Sequence, residues 1–137
     1  MVIAVYNSPP GGAKSLPSGV DTKIVGIQVN TLNTQSPFWT VFGKVVVNNV
    51  TANPARLTAE LTVPALPVPL LDTSLATIPA HGSVSVSLEG VVIRGETQTP
   101  LCVEIHCNAT SSPPAINNAE YARLIAISVD SVIQQTC

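Results

Sequence analysis

One short stretch of the chain brings together residue types that could do chemistry. Cys102, Glu104 and His106 stand at alternate positions, so they share one face if the stretch is extended. Thiolate, carboxylate and imidazole are zinc ligands, and His81 could complete a set of four. In a strand, however, positions i, i+2 and i+4 span about 13 Å, which is too wide for one tetrahedral ion. We therefore predict no metal site and no cofactor.

The cysteines are the next candidates, and Cys102, Cys107 and Cys137 are the candidate disulfide residues. A strand places Cys102 and Cys107 on opposite faces and about 16 Å apart, whereas a disulfide needs Cα atoms within about 7 Å. Cys137 could reach one of them and leave an odd thiol, which in an exported protein suggests a bond between chains. Alternatively, all three are reduced and Cys107 is a core residue beside Val103 and Ile105.

Catalytic arrangements are not recognisable. The eight carboxylates and two histidines stand in no Ser-His-Asp or nucleophile-elbow setting. Glu89, Glu96 and Glu104 could in principle pair for acid–base work, but we interpret them as solvated charges on an outer face. We predict no catalytic residue and no enzymatic activity. Sequons at Asn49 and Asn108 have meaning only in a host that glycosylates them.

Alternation of apolar and polar residues predicts the strands that position these groups. In 83–89, Val84, Val86 and Leu88 point one way, and Ser or Glu residues point the other way. Related patterns predict strands at 2–6, 23–30, 38–49, 56–63, 101–107 and 121–133. Residues 78–89 are predicted as a turn followed by a strand, and 91–94 either continue that strand or form a separate short one. Twelve prolines and many Val, Ile and Thr residues argue against helices.

Two strands carry further detail. In 38–49, Phe42 and Lys44 take the face opposite to Trp39, which we interpret as a core anchor rather than a ligand-stacking residue. In 121–133, Ile125 and Ile127 share one face. The strand count and spacing predict an all-β fold, an antiparallel β-sandwich of seven to eight strands with an N-terminal extension. The sandwich is either immunoglobulin-like or a jelly roll.

The N-terminal residues form a separate segment. Residues 1–19 combine a short apolar strand (Val2, Ile3, Ala4, Val5 and Tyr6) with a Pro/Gly-rich tether, and residues 20–137 form the sandwich domain. A short strand on a tether is not stable alone. We expect it to dock on a sheet edge, either its own or that of another copy, and we treat it as a candidate subunit-contact strand.

The composition of the chain limits the classes of partner that it is expected to bind. Charged residues make up 10% of the 137-residue chain, against about 25% in typical domains, and a weakly charged surface is poor at keeping molecules apart. We infer that copies of the chain or a partner cover much of it; the alternative is a neutral secreted monomer. With no basic stripe and no apolar run of about 20 residues, we predict neither nucleic-acid binding nor membrane insertion.

The start of the chain lacks the charged n-region of a signal peptide. Either a signal sequence has been removed, or the protein leaves its cell by another route, such as release on lysis. In both cases we expect an extracellular location or a place on a cell or spore surface.

Two stretches of the chain resemble one known family, and its overall architecture is similar to a second. Gly43–Asn49 with Leu61–Val63, and the turn and strand Ile78–Val86, resemble bacterial extracellular immunoglobulin-like modules of the CARDB type, although His81 stands where that family often has Gly. The architecture of tether, small sandwich and late cysteines is similar to subunits of bacterial endospore appendages. That resemblance implies a fibre held by strand donation and intersubunit disulfides, but this tether lacks the cysteines of those subunits.

These observations favour a structural subunit that self-assembles into an extracellular fibre or coat, by strand addition and in some measure by disulfides between subunits. The alternatives are a carbohydrate-binding or adhesion module of a secreted protein, and a virion decoration or capsid protein.

Overall fold

A computed structural model describes residues 3–7, 13–29, 38–93 and 101–129, with residues 3–7, 93 and 129 described by their backbone. Every regular element in these ranges is a strand. The strands are β1 (Ile3–Asn7), β2 (Lys14–Leu16), β3 (Thr22–Val29), β4 (Phe38–Asn49), β5 (Ala55–Thr62), β6 (Leu70–Ile78), β7 (Gly82–Ile93), β8 (Leu101–Thr110) and β9 (Asn117–Val129). In these same ranges no helix is long and apolar enough to cross a membrane.

The strands form two antiparallel sheets. In the first sheet the order is β1-β9-β4-β7, and β2 also pairs with β9; in the second sheet the order is β3-β8-β5-β6. The predicted all-β antiparallel sandwich is therefore confirmed. Two of the described strands were not predicted: β2, within the stretch predicted as a tether, and β6, which precedes the predicted turn before β7. Residues 91–93 continue β7 and do not form a separate strand.

The pairing pattern identifies the sandwich as a jelly roll. The first strands pair with the last one, β3 pairs with β8, β4 with β7 and β5 with β6, as if one long hairpin had been rolled into two layers. An immunoglobulin sandwich instead pairs several strands that follow each other in the chain. Here only β5 and β6 do so among the described strands, which decides between the two predicted topologies.

The core lies between the two inner faces and follows the predicted alternation. In β7, Val86 and Leu88 are buried while Ser85, Ser87 and Glu89 are exposed. Trp39 is 1% exposed, so its assignment to the core is confirmed. Leu16 of β2 is fully buried as well, which shows that part of the predicted tether packs against the sandwich.

A glycine allows the two sheets to approach closely. A Cβ atom on Gly43 of β4 would lie 2.9 Å from Cδ1 of Ile105, which reaches across from β8, and 3.7 Å from Cδ1 of Leu124. The space beside Gly43 is thus filled by the side chain of a residue from the opposite sheet.

Candidate functional site

The two described cysteines lie on opposite faces of β8. Cys102 is exposed and Cys107 is buried, and neither forms a disulfide within the described residues. Burial, helped by the charge of Asp21, raises the pKa of the Cys107 thiol to about 12. This thiol is therefore protonated and inert at neutral pH. Cys137 lies outside the described residues, so a disulfide from Cys102 to another chain remains a prediction.

Glu104 and His106 belong to a chain of ion pairs on the outer face of the second sheet. His106 Nδ1 lies 2.9 Å from Asp21 Oδ2, and His106 Nε2 lies 2.9 Å from Glu104 Oε1. Lys23 Nζ lies 3.1 Å from Glu104 Oε2. We call these four residues the ionic cluster. Strands β3 and β8 position it, because Lys23 and His106 are paired in register.

The cluster shifts the titration of both central residues. Burial alone would lower the pKa of His106, but hydrogen bonds to Glu104 and Asp21 and the charges of those carboxylates raise it above the usual value. Burial alone would raise the pKa of Glu104, but hydrogen bonds to His106 and Lys23 hold it below the usual value. Both ring nitrogens of His106 face carboxylates, which leaves neither of them open to a metal ion.

Metal-binding geometry is not found elsewhere in the part of the chain that the structure describes, where no group of three His, Cys, Asp or Glu residues could hold an ion. Cys102 is on the same strand face as Glu104 and His106 but is not part of the ionic cluster. Of the residues that the sequence suggested as metal ligands, Glu104 and His106 therefore form ion pairs instead.

The outer face of the first sheet has a different character. Cross-strand pairing sets Phe42 beside Ile125, Thr40 between Ile127 and Val91, and Val46 beside Tyr121. Phe42 is 44% exposed, Val91 40% and Tyr121 36%. The set that we call the apolar face consists of Phe42, Val46, Val91, Tyr121, Ile125 and Ile127.

The assignment of Ile125 and Ile127 to this face could not be made from the sequence. Alternation placed them together, but the core side of β9 is formed by Leu124 and the alanines at 122 and 126, which are fully buried. Ile125 and Ile127 are only half-buried and point outward. Since both faces of β9 are apolar, a period of two does not show which face is inside.

A cleft of about 480 Å³ lies around Phe42 on this face. Its lining carries four charged residues: Lys44 and Arg123 on one side, and Glu89 and Asp72 on the other. Lys44 and Arg123 are direct cross-strand partners, and Glu89 is the cross-strand partner of Phe42. None of the four forms an ion pair within the described part of the chain.

Asp72 connects the cleft to the second sheet. It belongs to β6, at the edge of that sheet, and its Oδ2 accepts a hydrogen bond of 2.9 Å from the backbone N–H of Glu89 on β7. Its Oδ1 accepts another, also 2.9 Å, from the N–H of Thr73. The edge of the first sheet is thus partly closed by a side chain from the second.

The candidate subunit-contact strand occupies the opposite edge of the first sheet. Strand β1 pairs antiparallel with β9 of the same chain, with Ile3 in register with Ile127 and Val5 in register with Ile125. Val2 lies outside the described residues. In a single chain this strand completes its own sheet, and its exchange with another copy remains a prediction.

The sequon at Asn49 forms a turn. Asn49 is fully buried; its Nδ2 donates a hydrogen bond to the carbonyl of Asn53 at 2.8 Å, and its Oδ1 accepts hydrogen bonds from the N–H and hydroxyl of Thr51 at 2.9 and 2.7 Å. Its amide is therefore not accessible to a glycosylating enzyme in the folded chain. Asn108 lies half-buried near the end of β8.

Comparison with known proteins gives structural likeness alone. No protein family matches the chain, and no curated protein matches it. A chain from the structure of the infectious bursal disease virus Gx strain superposes with a TM-score of 0.62 at 12% identity, over 93% of this chain and 34% of the viral chain. The chain thus spans about a third of the length of that viral protein. Structures from the same virus include its VP2 subviral particle, with a TM-score of 0.61 at 11% identity.

Two further matches cover nearly the whole of both chains. The Eiger TNF protein from S. frugiperda has a TM-score of 0.55 at 7% identity, over 99% of this chain and 98% of that one. A Bacillus endospore appendage subunit, from a family of disulfide-linked pili, has a TM-score of 0.49 at 12% identity, over 93% and 88%; this score is too low to carry an argument. At these identities the other matches show the fold, and no family match supports the CARDB resemblance.

Proposed function

We propose that this chain is a structural subunit that assembles with copies of itself into an extracellular fibre or coat. The observation that carries the proposal is the apolar face, where three large side chains, Phe42, Val91 and Tyr121, are 36–44% exposed on one sheet. Phe42 and Val91 adjoin Ile125 and Ile127 in the sheet, whereas Lys44 and Arg123 separate this patch from Val46 and Tyr121. A contiguous exposed apolar patch that is rimmed by polar residues marks an interaction site in soluble proteins. The composition supports this, since a chain with 10% charged residues has little to keep copies apart.

A self-complementary contact closes as a dimer, whereas a head-to-tail contact extends, so a fibre or coat can combine one contact of each kind. The apolar face supplies the first. Strand β1 is the second, because an edge strand that pairs with β9 of its own chain can be exchanged for the same strand of a neighbour without changing any hydrogen bond. Cys102, which is exposed on the other sheet, is available for a disulfide that would fix a joint between subunits.

The proposal places the assembly outside the cell or on its surface and gives the subunit no catalytic role and no cofactor. The jelly-roll fold, which the chain shares with the VP2 subviral particle, is compatible with a closed shell as well as with a fibre. The alternative function, a carbohydrate-binding or adhesion module, needs aromatic platforms, and the whole chain has one Trp, two Tyr and two Phe. A saturable hit on a glycan array would favour that alternative.

Light scattering coupled to size-exclusion chromatography, with and without reductant, tests the proposal. The wild-type chain is expected to elute as multimers, and Phe42→Ser to shift the distribution toward monomer. Leu75→Ser is the matched control, because Leu75 is an even more exposed apolar residue, 76% exposed, on the other sheet. A monodisperse monomer in both conditions would overturn the proposal. Electron microscopy of the wild-type multimers distinguishes a fibre from a closed shell.

Strand exchange has its own test in a chain without native cysteines. A Val5→Cys chain is mixed with an Ile125→Cys chain under oxidising conditions. Residues 5 and 125 are register partners, so their Cα atoms are about 4.5–5.5 Å apart, within disulfide range. Covalent dimers are expected if β1 pairs between chains. If dimers do not form although the same two cysteines bond readily within one chain, strand exchange is refuted.

A further inference from the structure

We propose that the cleft around Phe42 is one half of a self-complementary contact, in which two copies meet face to face about a two-fold axis beside Phe42. Lys44 and Arg123 of each copy would then face Glu89 and Asp72 of the other. This inference rests on the proposed function, since it names the partner and the geometry of one of its contacts.

The positions of the charges carry the inference. Alternate residues along a strand are about 6.7 Å apart and register partners about 5 Å apart, so Lys44 and Glu89 both lie within about 7 Å of Phe42 at the level of Cα. The basic pair is on β9 and β4, and the acidic pair is on β7 and the adjacent edge strand β6. Rotation of one copy by 180° about an axis in the plane of the contact therefore places its basic pair opposite the acidic pair of the other copy.

Within the described residues, Lys44, Arg123 and Glu89 have no ion-pair partner, and Asp72 accepts hydrogen bonds from backbone N–H groups alone. Lys44 and Arg123 are adjacent and of like sign, an arrangement that is unfavourable unless something neutralises it. Glu89 is exposed and has no ion-pair partner among the described residues. An apolar centre flanked by unpaired charges of both signs is the composition of a protein interface, with a hydrophobic core and a rim that fixes the register.

A second copy fits this pattern better than a small ligand does. A ligand would need cationic and anionic groups on either side of an apolar body, whereas the chain itself carries that arrangement at the required spacing. The cleft is also continuous with the rest of the apolar face: Ile125 lines it, and Ile127 follows on the same strand. A small ligand would leave the remainder of that face uncovered.

Charge reversal with rescue tests the contact by analytical ultracentrifugation. Lys44→Glu and Glu89→Lys are each expected to raise the concentration for half-association at least about tenfold, because each places like charges opposite one another in two symmetric positions. The double variant Lys44→Glu/Glu89→Lys restores the opposite signs and should return to within about threefold of the wild type. An equimolar mixture of the two single variants should associate in the same way, as mixed dimers.

Arg56→Glu is the matched control, since Arg56 is exposed on the other sheet and has no ion pair within the described residues; it should leave association unchanged. Circular dichroism checks that every variant is folded. If the wild type associates but the double variant and the mixture are no better than the single variants, the two-fold contact is wrong and the proposed function stands. If the wild type does not associate at all, the proposed function fails.

Discussion

The two outer faces of the sandwich are built by the same alternation of residues, yet they use their charges in opposite ways. On the second sheet, Lys23, Glu104, His106 and Asp21 satisfy one another within a single chain. On the first sheet, Lys44, Arg123 and Glu89 surround Phe42 without forming ion pairs in the described residues. Hydrophobicity by itself does not distinguish an interface from other surface. The unpaired charges around an apolar centre are the feature on which we base the proposed two-fold contact.

A substitution in the core between the two sheets should have the largest effect on the free energy of unfolding. Ile105 is fully buried and extends from the second sheet to the gap beside Gly43 in the first. We expect Ile105→Ala to lower the free energy of unfolding by about 2–5 kcal/mol, because the alanine leaves a cavity between the sheets. Urea unfolding followed by circular dichroism measures this. A loss below about 1 kcal/mol would show that the sheets collapse into the gap and that Ile105 does not hold them apart.

Breaking one of the corners between the faces should have the next largest effect. Asn49 ends β4 of the first sheet and makes the hydrogen bonds of the turn that leads to β5 of the second. Asn49→Ala removes these bonds and is expected to cost about 1–3 kcal/mol of unfolding free energy. Asn108→Ala is the control, since it alters the other sequon, and it should cost less. Equal losses in the two variants would contradict the role of Asn49 in the turn.

The comparison also shows what could be predicted from the sequence. The strands β5 and β7 and the all-β sandwich follow from a period of two, and so does the opposite facing of Phe42 and Trp39 on β4. The outward face of β9 does not follow, because Leu124 and Ile125 are equally apolar. Leu124 is the one that faces inward, where it is the register partner of Gly43, and a glycine leaves room for a large neighbour.

The cleft around Phe42 could not be predicted from the sequence, for a related reason. Its acidic side needs Asp72 of one sheet to contact Glu89 of the other, and the adjacency of β6 and β7 at the sandwich edge depends on strand order. Strand order is set by long-range packing, which a single sequence does not display. The ionic cluster could be predicted in part. Glu104 and His106 stand at alternate positions in the sequence, whereas Lys23 lies on β3 and Asp21 just before it, and only the pairing of β3 with β8 brings them together.

The ionic cluster should make the second face sensitive to pH, with a smaller effect. Because the pKa of His106 is raised in the folded state, its contribution to stability is complete below the unfolded pKa of about 6.5 and is lost as the pH rises through the folded value. Glu60, the cross-strand partner of His106, adds a further carboxylate on the same face. The loss of unfolding free energy caused by His106→Gln should therefore be larger at pH 5.5 than at pH 8.5. The difference between the two losses should be at most about 1 kcal/mol, because these ion pairs are partly exposed.

His81→Gln is the control for this measurement, since it removes the other histidine without altering the cluster. A pH dependence of the same size in His81→Gln would show that the effect does not come from the cluster. A difference between wild type and His106→Gln that grows as the pH rises would show that His106 is stabilised in its neutral form.

The smallest effect is expected at the second corner, where β6 of one sheet turns into β7 of the other. His81 has a φ of 51°, a left-handed conformation that costs an L-residue about 1–2 kcal/mol relative to glycine. Glycine returns about 0.4–1 kcal/mol of this as greater freedom of the unfolded chain. His81→Gly should therefore stabilise the fold by about 0.5 kcal/mol, measured as a rise in Tm, whereas His81→Val should destabilise it because a β-branched residue tolerates this φ poorly. The turn precedes β7, and the cleft around Phe42 begins at Ser87, about 17 Å further along that strand. His81→Gly should therefore leave association unchanged, and a change in association would mean that the corner itself belongs to the contact.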